Sequence, residues 1–183
     1  MMKMNGRWRV LGIAGLALCI SQPVLGQVGS IPVGTINARI GDISYTSETL
    51  DVPSEGTSTA EFRALGPATT VSIQGHDPQA ESIMSNVLSL DIMLMGSDAS
   101  AAVTEATVSY FPKGMNEPFY SSDESGTQTQ VVFEALSFDD GVPKAKGSFT
   151  ALVCRKDDFF TEADQSDCLP VEGTFETALR KAG

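Results

Sequence analysis

The chain has 183 residues, 42% of them hydrophobic and 19% charged, with 23 acidic against 12 basic side chains and a formal net charge of −11. That length suits one ordinary domain with room for a hydrophobic core. An acid excess of this size repels nucleic acid and anionic lipid, and it favours cations and basic partners.

Lys3, Arg7 and Arg9 open the chain, and residues 10–20 form an apolar run too short to span a bilayer. Ser21, Gln22 and Pro23 then lead to Val24 and Gly26. This order predicts a cleaved export signal, a signal helix within residues 1–26, with the cut after Gly26 and Gln27 as the new terminus. The remaining residues 27–183 form the single predicted domain, expected in the periplasm or outside the cell. No later run is long and apolar enough for a membrane helix, and the polar ending Arg180-Lys181-Ala182-Gly183 differs from the aromatic last strand of outer-membrane barrels. Cys19 sits inside the apolar run behind Leu18, where a lipoprotein signal needs a small residue, so it is expected to leave with the signal. Cys154 and Cys168 remain and can pair in one way only, as a disulfide in an oxidising compartment.

Apolar and polar residues alternate along most of the domain, the period of half-buried strands. Residues 33–40 and 43–49 predict a hairpin around Gly41-Asp42, a two-residue loop of type II′ that sets Ile40 against Ile43 and Ala38 against Tyr45. Strands follow at 60–65 and 69–74. The alternation breaks at 76–86, where Asp77 is expected to cap a short helix with Pro78 in its first turn. Residues 87–95 form the most apolar strand, with Leu88, Leu90, Ile92 and Leu94 on one face. Strands are predicted again at 103–111, 119–122 and 127–138, the last with apolar residues on both faces and therefore a bulge or two covered sides. The segments 54–59 and 121–126 read as loop tips. Together these give an all-β fold of eight or nine strands, an antiparallel sandwich or a partly closed barrel.

The last two strands, 144–154 and 168–180, carry the most information. Placing Cys154 directly opposite Cys168 sets Gly147 against Phe175, Phe149 against Gly173, Ala151 against Val171 and Val153 against Leu169 on one face. On the other face Lys146 meets Glu176 and Ser148 meets Thr174. Each ring covers a glycine, a means of stabilising glycine in a sheet, and slipping the register by one residue would turn an apolar set outward. The pattern G-x-F-x-A-x-V followed by G-x-F-x-T-x-L resembles the ending of small exported bacterial all-β domains of unknown function. The resemblance covers mainly residues 127–180. It implies an all-β fold and an exported location, and it brings no catalytic residues.

Candidate chemistry is sparse. His76 is the one histidine of the chain; it lacks a G-x-S-x-G elbow and reads as an exposed loop residue, available for binding rather than as a general base. The segment between the cysteines, residues 155–167, holds Asp157, Asp158, Glu162, Asp164 and Asp167. Such carboxylates are weak candidates for calcium, but their spacing is not that of an EF-hand and no glycine makes its central turn. They read as a solvated tip in which Thr161 caps one helical turn. Phe159 and Phe160 in that tip either anchor a partner or fold back on the sheet. Met84, Met93 and Met95 with His76 have the chemistry of a Cu(I) site, although methionines on strand faces more often fill a core. Cys154 and Cys168 lack redox-type C-x-x-C spacing. No metal or other cofactor is expected. The leading expectation is a non-enzymatic exported β-domain that binds an unknown protein or has a structural role. The alternatives are a carrier of a small apolar ligand and an envelope enzyme. Nucleic acid is not among the expected partners.

Overall fold

A computed structural model describes residues 29–139 and 141–183. The expected signal helix and the expected cleavage site lie outside the described residues. The strands are β1 (Ile31–Ile40), β2 (Ile43–Val52), β3 (Thr57–Ser58), β4 (Ala60–Leu65), β5 (Ala68–His76), β6 (Val87–Met95), β7 (Ala102–Phe111), β8 (Phe119–Ser121), β9 (Gln130–Ser137), β10 (Lys144–Lys156), β11 (Asp164–Ala178) and β12 (Arg180–Lys181). The fold is all-β, and among the described residues there is no helix. Twelve strands form one sheet in the order β12-β4-β5-β6-β7-β8-β10-β11-β1-β2-β3, with β9 on β10 as a branch. The pairings are antiparallel except β12 with β4, so the sheet is mixed. It is not a closed barrel: β2 returns to β5 through one bridge, Glu48 opposite His76. The strand number exceeds the predicted eight or nine: ten strands fall on the alternating segments, and the two-residue strands β3 and β12, which leave no periodic trace in the sequence, make twelve.

The first hairpin has the predicted register, Ile40 against Ile43 and Ala38 against Tyr45. Gly41 has φ +56° while Asp42 does not share the positive φ, as a type II′ turn requires. In β9 the register shifts where Lys146 pairs with Ala135 and Gly147 with Phe133, which makes Glu134 an extra residue. That bulge is why Phe133 and Leu136, three apart, are both buried. The C-terminal hairpin shows every expected pair: Gly147 with Phe175, Phe149 with Gly173, Ala151 with Val171, Val153 with Leu169, Lys146 with Glu176 and Ser148 with Thr174. Cys154 and Cys168 are directly opposite and disulfide-bonded. Phe149 and Phe175 lie fully buried in the main core with Ile36, Ile73, Leu90 and Val108.

Two expectations need correction. Residues 77–86 form turns, not a short helix; Asp77 accepts from Gln79 N at 2.8 Å, but its other oxygen takes the Asn86 amide at 2.6 Å, and the chain never completes a helical turn. The segment between the cysteines is only partly loop. Strand β10 runs on to Lys156 and β11 begins at Asp164, with Arg155 opposite Asp164 and residues 165–167 as an inserted bulge. The open tip is residues 157–163.

Candidate binding surface

The sheet register lines up one row of side chains on the outer face. Glu48 of β2 is opposite His76, His76 opposite Val87, and Val87 opposite Phe111. One step beyond the pairing of Tyr110 with Tyr120 brings Phe111 against Phe119, with ring centroids 5.0 Å apart and nearly parallel. Phe119 in turn is opposite Lys156. Directly opposed residues share a face, so this row runs from an acid and a histidine through three apolar residues to a lysine. Val87, Phe111 and Phe119 form a second small core, with Met115 packed on it. Their burial on an outer face follows from Met115 of loop 112–118 and Phe159 of loop 157–163, which pack on them, while loop 77–86 joins β5 to β6 beside them. The two segments that the sequence nominates separately, 76–86 and the tip between the cysteines, therefore stand at the same end of the molecule.

Each loop is fixed at its base. Asn86 closes 77–86: its amide Oδ1 accepts from Tyr110 at 2.7 Å, its backbone carbonyl lies 2.9 Å from the Tyr45 hydroxyl, and its backbone N–H donates to Pro112 O at 3.2 Å. Burial pushes both phenols up, with Asp77 adding to the effect at Tyr110. His76 holds the middle of the same loop, with Nδ1 2.7 Å from Ile83 O. It is the last residue of β5 and only 7% exposed, which corrects its reading as an exposed loop histidine. Burial lowers its pKa, outweighing the Ile83 carbonyl, which raises it.

Asp158 and Thr161 organise the cysteine tip together, as a turn rather than a helix: the Thr161 hydroxyl accepts from Asp158 N at 3.1 Å, and Asp158 answers through its side chain. Its carboxylate accepts from Phe160 N at 2.7 Å and Thr161 N at 2.9 Å. Glu124 reaches over from 122–129 to take the nearly buried Lys156 ammonium at 3.0 Å and Ala163 N at 3.2 Å, and those donors hold its carboxyl below the usual range. The other acids have separate tasks. Asp157 pairs with Arg155 at 2.9 Å, Asp164 accepts from Ser166, and Asp167 accepts from Tyr120 at 3.4 Å, while Glu162 is exposed. Among the described residues no three His, Cys, Asp or Glu side chains gather as metal ligands.

The two phenylalanines divide the expected roles. Phe159 folds back, 4.8 Å from the Phe119 ring and 6.4 Å from Phe111, yet stays 58% exposed. Phe160 is 98% exposed. Ile83 and Met84 are exposed on the neighbouring loop. Met95 is also exposed and lies at the far end of β6, so the methionines neither fill the core together nor meet at His76.

Sequence reasoning missed Asn86, Glu124, Lys156 and the Phe111–Phe119 stack. The positive φ of Asn86 (56°) and of Glu124 (63°) has only a faint sequence signal, a residue type tolerant of that region in the first case and none in the second. No family model, curated protein or solved structure matches the chain.

Proposed function

We propose that this is an exported, non-enzymatic binding domain that docks a partner protein through the apolar tip made by Phe160, Phe159, Met84 and Ile83. The observation that carries the reading is Phe160: an aromatic ring 98% exposed on a loop already fixed by the Asp158 cap, the Glu124 bridge and the adjacent disulfide. A solvated ring on an ordered loop pays little to bind, and burying it is worth about 1.5–3 kcal/mol. Asp77, Glu81, Glu117, Asp157, Asp158 and Glu162 belong to the same three loops, against Lys113 alone of opposite sign. Charge complementarity therefore favours a partner whose apolar pocket is edged by Lys and Arg. His76 is covered and spends Nδ1 on a backbone carbonyl, which speaks for binding rather than proton transfer. The interior is filled by Phe149, Phe175 and their neighbours, which weighs against an apolar-ligand carrier. Export rests on the N-terminal pattern and on a disulfide suited to an oxidising compartment. The single β2–β5 bridge supports a partly closed barrel as the finer description of the sheet.

The test is capture from envelope extracts by the oxidised domain and by Phe160→Asp. The native domain should retain a specific protein in a salt-sensitive manner. The variant should lose it with an unchanged melting temperature, since Phe160 supports no other side chain. Equal capture by both proteins would remove the tip from the binding surface.

A further inference from the structure

The loop that carries Ile83 and Met84 is held by the only histidine of the chain. Because Ile83 O is an acceptor, Nδ1 carries the imidazole proton and Nε2 is the bare nitrogen. Nε2 is buried and is without a hydrogen-bond partner among the described residues. The same residue makes the one backbone bridge between β5 and β2, next to the Tyr45 hydroxyl, which lies 2.9 Å from Gly75 O. We propose that His76 is a pH latch: neutral, it pins residues 77–86 and the β2–β5 seam; protonated, it leaves its site and both open. The role assigned to the opening, control of the Ile83–Met84 side of the docking surface, rests on the binding reading above.

The physical argument is the fate of a second proton. On Nε2 it creates an N–H without an acceptor and a cation away from water, both costly. With the ring turned out into solvent neither cost arises. The charged and titratable groups on the elements packed around the ring are Glu48 and Tyr45 of β2, Asp77 and Glu81 of its own loop, Tyr110 of β7 and Lys113 beyond it. Glu48, the direct cross-strand neighbour, is half-exposed, and it and Asp77 are the two nearby carboxylates whose charge favours the cation. Asp77 is occupied by Asn86 and Gln79 N, and the phenols stay protonated. Burial dominates the balance. The sign follows. Above the ordinary value of 6.5 both forms are neutral and the latch is closed. As pH falls below it, the open form binds the proton that the closed form refuses. The open-to-closed ratio then rises by up to about tenfold per pH unit until the closed form's lower pKa is reached.

Hydrogen exchange of the oxidised domain at about pH 7.5 and about pH 5.5, corrected for intrinsic exchange, tests this. Protection should fall toward the lower pH at residues 76–86 and at Glu48, by up to about tenfold, while the β10–β11 pair keeps its protection. His76→Asn, which can still donate to Ile83 O but does not titrate, should lose the pH dependence. No fall in the native protein, or the same fall in the variant, overturns the latch. Should the variant not fold, the imidazole shifts of the native protein decide: a midpoint below 6.5 supports the latch and one at or above it overturns it. Phe160→Asp should open like the native protein, so failure of partner capture and failure of the latch are read separately.

Discussion

Gly173 shows how a single residue fixes a register. A Cβ there would lie 2.7 Å from the Phe149 ring tip, 2.8 Å from Ala38 Cβ and 2.8 Å from Asn37 O. The ring can shift, but the backbone oxygen of β1 cannot do so without breaking the pairing of Asn37 with Thr174. Gly173→Val should therefore destabilise by about 1–3 kcal/mol, the range for overpacking a filled core, and lower the melting temperature by roughly 2–4 °C per kcal/mol for a domain of this size. An unchanged melting temperature would mean that the three strands yield more easily than their contacts indicate. Glu124 and Lys156 act at the same scale in the opposite sense. Their side chains fix no register, but one carboxylate gathers an ammonium and a backbone N–H from two segments and gives the aromatic tip its base.

At the scale of elements, the last hairpin is joined by a bond as well as by its ladder. The cysteines are 14 residues apart, and a bridge closing a loop of about 15 residues is worth about 3 kcal/mol in the chain-entropy account. Replacing both cysteines by alanine should lower the melting temperature by roughly 6–12 °C without changing the strand content seen by circular dichroism, because the Gly–Phe and Lys146–Glu176 pairs still specify the alignment. Elements of this kind are legible in sequence: alternation, paired glycines and two cysteines all point to one register, and the strands at 60–65 and 87–95 have the predicted bounds. The bulge of β9 is legible as one of two alternatives, since apolar residues on both faces of a strand call for either a bulge or two covered sides, and the register shift at Glu134 shows which. The candidate site is legible only in pieces. Phe159, Phe160 and the 76–86 segment stand out by type, but their meeting depends on a row of pairings across β2, β5, β6, β7, β8 and β10, and no local pattern encodes that row. The burial of His76 is hidden for the same reason: its ring bonds to the carbonyl of Ile83, seven residues on, which turns rather than a helix bring back to it.

On the scale of the whole molecule, the sheet path has two ends, β12 beside β4 and β3 beside β2, and they are tied together. Arg180 of β12 donates Nε and Nη2 to the two carboxylate oxygens of Asp51 in β2, each at 2.8 Å. With the Glu48–His76 bridge this is the seam of the fold. Hydrogen bonds to a charged partner are worth about 1.5–3 kcal/mol, and Asp51 is largely covered. Arg180→Met should cost about 1–3 kcal/mol in denaturant unfolding and should loosen β12 and β3 in hydrogen exchange before any central strand. Protection lost evenly across the sheet would show that the seam is not a separate unit.

The row of opposed residues beneath the three loops has a consequence for descent and for engineering. Its members belong to strands whose alignment is set elsewhere, by the buried face and by the sulfur bridge. The exposed crest positions can therefore be exchanged, provided that Met115, Asp158 and Phe159, which pack on the row or cap its loop, are kept. A lineage built on this plan is free to change its exposed surface by rewriting the other residues of 78–82, 113–118 and 157–162, and a library confined to those positions would vary that surface on a platform that stays the same.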